Sequence, residues 1–311
     1  MKNLLIASTA LVATAGVAAA EVTMDGYGRF GIFYQESDID AIDETRIEQR
    51  FRLTITGVTE SDSGVKFEGR IRFQTDENAV GDGGIANRSA AGFAASYGGL
   101  RLDVGNVSDV LDSGDVFSYY GSGVGLTSSI EMNSNFGLPA SGFGTSSDDS
   151  TVSPTIKLRW QTGDLTVSAS VTDDSSGTKA EEYMLGAGYV FGNWNAGVVF
   201  GRTDNNIDTK LDYWALGFGY DGGAFGVDVV IADIDDIGPI ENSTSWGISG
   251  TYDISAATQL VAVYSDTGIG DLDDTYGIGF KHDLGGGVSL RGGIGENAGR
   301  TTGDLGVVFN F

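Results

Sequence analysis

Arg46, Arg50 and Arg52 stand an even number of residues apart, and so do Lys66, Arg70 and Arg72. In an extended chain successive side chains point to opposite faces, so even spacing gathers each set on one side of its segment. The other side is apolar in both: Ile47, Phe51, Leu53 and Ile55 in the first, Val65, Phe67, Ile71 and Phe73 in the second. Arg29 and Arg101 have the parity to join them, and eight of the twelve arginines precede residue 102. Like charges gathered this way are unfavourable unless water or a counter-charge relieves them. A candidate counter-charge follows at once, because the chain after Gly105 carries Asp109, Asp112, Asp115 and Glu131. Basic and acidic groups opposed across a narrow aqueous gap would set up a transverse field that orients polar solutes and disfavours apolar ones. The plainer alternative is a set of solvated arginines with no such field.

Other chemistry is poorly supplied. The one histidine, His282, lies between Lys281 and Asp283 beside an expected turn, the place of a surface residue rather than a general base. With no cysteine, a zinc site would have to be built mainly of carboxylates. No Walker pattern occurs, and the many Gly-x-Gly pairs fall in extended segments, where they signal close packing rather than phosphate binding. Neither an enzyme nor a cofactor is expected. A formal net charge of −25 repels phosphate and argues against a nucleic-acid partner.

The elements that must position the arginines are amphipathic strands. Leu305, Val307, Phe309 and Phe311 share one face of the last segment. The same period joins Trp246, Ile248, Gly250 and Tyr252, and it joins Trp214, Leu216, Phe218 and Tyr220. It recurs in Tyr183, Leu185, Ala187, Tyr189 and Phe191, followed by Trp194, Ala196, Val198 and Phe200. Aromatics at both ends of an apolar face are the pattern of interfacial girdles. Connectors alternate between short Gly-rich turns, such as Gly98-Gly99, Gly192-Asn193 and Leu284 to Gly287, and longer acidic stretches, such as Ser37 to Glu44 and Asp266 to Asp273. Counting them gives about sixteen strands of roughly ten residues, the length of a tilted membrane-crossing strand. The expected fold is therefore all-β, a sixteen-stranded antiparallel transmembrane β-barrel around an aqueous lumen. A mean hydropathy close to zero suits it, since lipid-facing and water-facing residues cancel. A β-sandwich or propeller would share the period but not the double girdle or the alternating connector lengths.

Residues 1–20 read as a leader. Lys2 supplies a positive start, Leu4 to Val17 is apolar, and Ala18-Ala19-Ala20 offers a small-residue cleavage site before Glu21. Export through a cleaved signal peptide, with a barrel over 21–311, is the expected organisation. From about 106 to 150 the alternation lapses, and a structureless stretch of that length is usually functional or disordered. It is expected either to fold into the lumen as a constriction or to stand outside as a large loop. Another stretch, Asn87 to Tyr97, is rich in Ala, Ser and Gly. Small residues on an outer face allow close approach, so this region is either a subunit contact or a thin part of the wall.

With these residues placed, the chain resembles the general-diffusion porins of alphaproteobacteria, the Rhodobacter type, over essentially the whole length from Glu21. The resemblance rests on the opening Glu21-Val22, the acidic insertion after Gly105 and the turn Tyr189 to Asn193. It rests also on the strand and Gly-rich turn Tyr276 to Gly287, and on the terminal Phe311. It implies a homotrimer in the outer membrane of a Gram-negative cell, in contact with lipid and lipopolysaccharide, with the long loop folded inward. It also implies that Phe311 is read by the barrel-assembly machinery. By position, Arg29, Arg50, Arg52, Arg70 and Arg72 match the family's basic wall, while Asp109, Asp112, Asp115 and Glu131 sit in its acidic loop. Calcium at acidic loop pairs is a further implication, with Asp148-Asp149, Asp173-Asp174, Asp235-Asp236 and Asp273-Asp274 as candidates. The implied function is passive diffusion of small hydrophilic solutes and ions. The acidic chain suggests a weak cation preference, against which the arginine wall pulls. A substrate-selective channel for a sugar or another small solute is the alternative, and a plugged adhesive or structural barrel a more distant one.

Overall fold

Alternation along the chain becomes a closed wall in the computed structural model, which describes residues 20–39, 41–76, 87–140, 142–143, 154–173, 181–204, 210–235, 244–268 and 272–311. The expected leader lies outside the described residues, apart from Ala20. The first third contributes β1 (Glu21–Gln35), β2 (Thr45–Glu60), β3 (Lys66–Asp76), β4 (Asn87–Arg88), β5 (Gly92–Tyr97) and β6 (Leu100–Gly105). After a long loop carrying the single helical turn α1 (Val110–Ser113) come β7 (Thr155–Thr162), β8 (Leu165–Asp173), β9 (Glu181–Phe191) and β10 (Trp194–Asp204). Then follow β11 (Lys210–Asp221), β12 (Phe225–Ile234), β13 (Ser245–Ser255) and β14 (Thr258–Asp266). The last three are β15 (Thr275–Gly285), β16 (Val288–Asn297) and β17 (Arg300–Asn310).

Apart from β4 and β5, each strand pairs antiparallel with its neighbours in sequence, and β17 returns to pair with β1, so the sheet closes on itself. Both β4 and β5 pair with β3 and occupy one place in the wall, which makes the barrel sixteen-stranded. The break between them falls in the small-residue stretch. Its reason is internal: Ser89 exchanges backbone and side-chain hydrogen bonds with Arg72, and a Cβ on Gly92 would press on the Asn106 carbonyl as the long loop departs.

Outward faces carry the apolar residues. Phe30, Ile47, Phe93, Leu185, Phe200, Ile278 and Leu305 are all exposed, as a lipid-facing wall requires. Short turns lie at one rim and long connectors at the other, with one exception: β16 and β17 are joined on the long-loop rim by Ala298-Gly299, both at positive φ, a two-residue hairpin. The dry core is inside the barrel. Val110, Leu111, Val116, Phe117, Val124, Ile130, Met132 and Phe136 of the long loop pack on Met184, Val199, Ala215, Val230, Ala232 and Val263 of the wall. That contact is possible because much of the wall beneath the loop is glycine. A Cβ on Gly188 would overlap the Val116 carbonyl, one on Gly247 the Met132 carbonyl, and one on Gly217 the ring of Phe117. The Gly-x-Gly pattern thus makes room for a second layer of chain within the lumen.

Candidate functional site

Register places the arginines side by side. Arg29 lies directly across from Arg50, Tyr27 from Arg52, Arg52 from Gln74, and Arg72 from Thr54. All five of Arg29, Arg50, Arg52, Arg70 and Arg72 face inward and keep partial contact with solvent. Like charges directly opposite one another are destabilising, and the wall relieves two of the five with its own carboxylates. Arg29 donates to Glu48 through Nε at 3.0 Å and Nη2 at 2.6 Å. Arg50 is paired with Asp76 and also donates to the Tyr27 hydroxyl at 3.1 Å. Nearby, Arg101 bridges Glu68 and Asp103. These acids share the parity of the arginines they serve; Glu48 falls two residues from both Arg46 and Arg50, so period-two reading could have found them.

Three of the five have no ion pair with a carboxylate among the described residues. Arg52 donates to the Gln74 amide oxygen, and its guanidinium lies 5.1 Å from the Tyr27 ring centroid. Arg72 donates to the Phe143 carbonyl oxygen at 2.7 Å and, more weakly, to Thr54 at 3.4 Å. The Arg70 side chain makes no hydrogen bond among the described residues; its guanidinium rests 4.0 Å from the centroid of the Phe143 ring, with that of Arg72 at 4.3 Å. Phe143 is the described loop residue that touches the arginine wall, and nothing in its local sequence marks it.

The loop acids take separate places. Asp109 is 0% exposed and caps α1 by accepting the Asp112 N–H at 2.8 Å. Asp112 accepts from the Tyr120 hydroxyl at 3.0 Å. Asp115 turns to a different part of the wall, where Lys157 approaches at 2.8 Å and Arg159 at 3.0 Å. Burial alone would raise the Asp115 pKa, but Lys157 and Arg159 outweigh it and hold the carboxyl below its usual range. Glu131 is half-buried, its backbone exchanges hydrogen bonds with Ser134, its carboxylate has no hydrogen bond or ion pair among the described residues, and desolvation pushes its pKa up to about 7. No hydrogen bond or ion pair among the described residues joins Asp112, Asp115 or Glu131 to the five arginines.

What the loop acids do not supply, a wall acid does. Asp304 on β17 accepts the Leu126 N–H at 2.7 Å, the Thr127 N–H at 2.8 Å and the Thr127 hydroxyl at 2.6 Å, latching the middle of the loop. Further latches join Ser122 to Ser249, Ser134 to Ser265, and Asn135 to Thr275 and Asn297. At the seam, Phe311 exchanges backbone hydrogen bonds with Gly26 and stacks on Phe51 at 5.5 Å, on the lipid-facing side. Of the calcium candidates, Asp148-Asp149, Asp174 and Asp236 lie outside the described residues, and Asp274 accepts from the Tyr264 hydroxyl at 2.5 Å. Among the described residues no group of three or more acidic, histidine or cysteine side chains could hold a metal ion.

A closed sixteen-stranded membrane barrel, glycine-lined where a long loop packs inside it and arginine-lined where the loop meets the wall through Phe143, is a channel of the outer-membrane type. The family described as Gram-negative porin matches residues 7–302, and the chain belongs to that family of outer-membrane diffusion channels. The porin of Rhodobacter capsulatus is 27% identical over 94% of this chain and all of its own length. The porin of Fuscovulum blasticum is 39% identical over a shorter match, 40% of this chain and 37% of that one. Among solved structures, engineered variants of the Rhodopseudomonas blastica porin superpose with a TM-score of 0.78 at 27% identity, covering 94% of this chain and 100% of theirs.

Proposed function

We propose that small hydrophilic solutes and ions diffuse passively through the lumen between the arginine wall and the inserted loop. The observation that carries this reading is the solvent contact kept by Arg29, Arg50, Arg52, Arg70 and Arg72 on an inward face, while the loop's own apolar residues are sealed against the opposite wall. A plugged adhesive barrel has less support, because the loop fills one side of the lumen. A sugar-selective channel would want an exposed aromatic ladder, and Tyr119 is buried while Tyr120 is tied to Asp112. Acidic connectors at the loop rim draw cations to the mouth, the basis for a weak cation preference there; deeper in, the uncompensated charge is positive.

The same reading takes the protein to be exported with cleavage after Ala20, assembled through recognition of Phe311, and trimeric among lipid and lipopolysaccharide. Calcium would be at most a loop-rim ligand. The test is reconstitution of the purified protein in planar bilayers. Ohmic unit conductance, arriving in threes, is the expected result; stable insertion with no conductance would overturn the diffusion reading.

A further inference from the structure

One stretch of the wall is thin on both sides. Inside, a Cβ on Gly293 would press on Val124 and Gly125 of the loop, and one on Gly279 would meet the same pair. Outside, Val227, Gly250, Ala262, Ile278 and Ile294 lie in register as one row across β12–β16. Gly250 and Ala262 are its low point, since a Cβ on Gly250 would meet nothing closer than 4.0 Å. With Phe225, Tyr252, Leu260 and Phe280 around them they form an apolar hollow of about 700 Å³ in the lipid-facing wall. We propose that this hollow holds one acyl chain of an inner-leaflet phospholipid, its headgroup end at Thr258 and His282, and that the chain backs the wall where the loop is seated.

The occupant follows from where the hollow lies. Phe225, Tyr252, Leu260 and Phe280 stand close to the short turns that join β11 to β12, β13 to β14 and β15 to β16. Short turns of such barrels face the periplasm, so the lipid at this depth belongs to the inner leaflet. The surface is continuous with the lipid-facing wall on both flanks, where Phe218 on one side and Leu305 and Ile32 on the other are exposed. Trp194, Tyr220 and Phe225 pack in series with ring centroids 4.5 and 5.3 Å apart, an aromatic band of the kind that marks headgroup depth. Nearer the turns, Thr258 and His282 keep the outward parity of Leu260 and Phe280 and are hydrogen-bonded to each other at 2.8 Å. Roughly 13 Å of strand runs from Thr258 to Ala262. A chain lying on Gly250 and Ala262 therefore brings its ester and phosphate end to this polar pair. Between the hollow and Val124 stands only the backbone of Gly279 and Gly293, so a chain outside supports the seat of the loop inside.

The test is photolabelling of the purified protein in phosphatidylethanolamine vesicles that contain a trace of the same lipid with a diazirine in one chain. After irradiation and digestion, label is expected to concentrate on Tyr252, Leu260, Ile278 and Phe280 above the rest of the outer wall. Gly250→Phe, whose ring fills the hollow from an outward position, should lower labelling there about tenfold, the equivalent of about two methylenes losing their burial. Ala196→Phe, outward on β10 and away from the hollow, should leave it unchanged. If Gly250→Phe does not insert, Ala262→Phe makes the same comparison. Added phosphatidylethanolamine should also raise the heat-modified gel transition of the detergent-solubilised parent and leave that of Gly250→Phe where it is. Label spread evenly round the barrel, or equal labelling of parent and Gly250→Phe at these strands, overturns the proposal. So does a hollow labelled in dissociated chains but not in oligomers, which would assign it to a second copy. Labelling needs no conductance, so its outcome is separate from that of the pore reading.

Discussion

The inward faces of β1–β3 and of β9–β17 obey the same parity and carry opposite contents. In the first, inward positions are Arg29, Arg46, Glu48, Arg50, Arg52, Glu68, Arg70, Arg72 and Asp76, in contact with solvent or with one another. In the second they are largely glycine, alanine, serine and valine, and the loop lies directly on them. A strand face toward a lumen can therefore be wet or dry, and its side-chain volume shows which. Long charged side chains hold the opposite layer away; glycines invite it in. The membrane-facing side is blind to this difference, being apolar all round. The arginines lie in the half of the wall that the loop meets through Phe143.

Breaking the loop's ion pairs should have the largest effect. Asp115→Asn would leave Lys157 almost buried beside Arg159 with no counter-charge, and a broken buried pair costs about 3 kcal/mol at the lower end of its range. Lower thermal stability of the barrel in detergent, read by heat-modified gel mobility, checks this. Because the Asp115 pKa is depressed, its contribution is present above the ordinary aspartate value and is lost only as pH falls through the lower folded value. Acid at pH 5 should thus leave it in place.

Next in size is Gly247→Val. The new side chain collides with the Met132 carbonyl, and overpacking of this kind costs about 1–3 kcal/mol. The dry half would shed part of its loop, and unit conductance should change while membrane insertion persists; a channel identical to the parent would show that the loop is not seated on these glycines. Asp304→Asn should follow, at about 2 kcal/mol for weakened bonds to Leu126 and Thr127. Here the expected signature is added open-channel noise from a loosened loop.

The smallest effect sharpens the comparison through pH. Desolvation raises the Glu131 pKa to about 7, so the folded state binds the proton more tightly than the unfolded one. Loop stability should accordingly fall as pH rises from the ordinary glutamate range to about 7, and remain low above it. Glu131→Gln should remove that dependence, leaving pH 4 behaviour unchanged and quieting the channel at pH 8. Equal noise in parent and variant at pH 8 would count against the desolvated carboxylate.

The barrel was legible because parity is a property of every strand. Apolar faces, the basic faces of β2 and β3, the alternating turns and the start of the long loop all follow from counting by two. The loop itself has no period, so nothing in the order of Asp109, Asp112, Asp115 and Glu131 tells which way each carboxylate turns. Three of them resolved into a helix cap, a tyrosine contact and a wall anchor only when the chain was folded. Phe143 was invisible for the same reason. In the serine and alanine run before β5, Ser89 and Ala90 are bound by the chain's own Arg72 and Asn106, contacts that its small side chains did not announce.

One contact bears on the order in which the molecule is made. The side chain of Leu126 lies against both Gly31 of β1 and Gly306 of β17, the two strands whose pairing closes the cylinder. These glycines are far apart in the chain and become neighbours only when the last strand meets the first. Leu126 therefore has its full berth only in a completed barrel, and Asp304 reaches it from the final strand. Seating of Leu126 and closure of the wall are in this way coupled, and a wall lacking either strand offers that side chain half a berth.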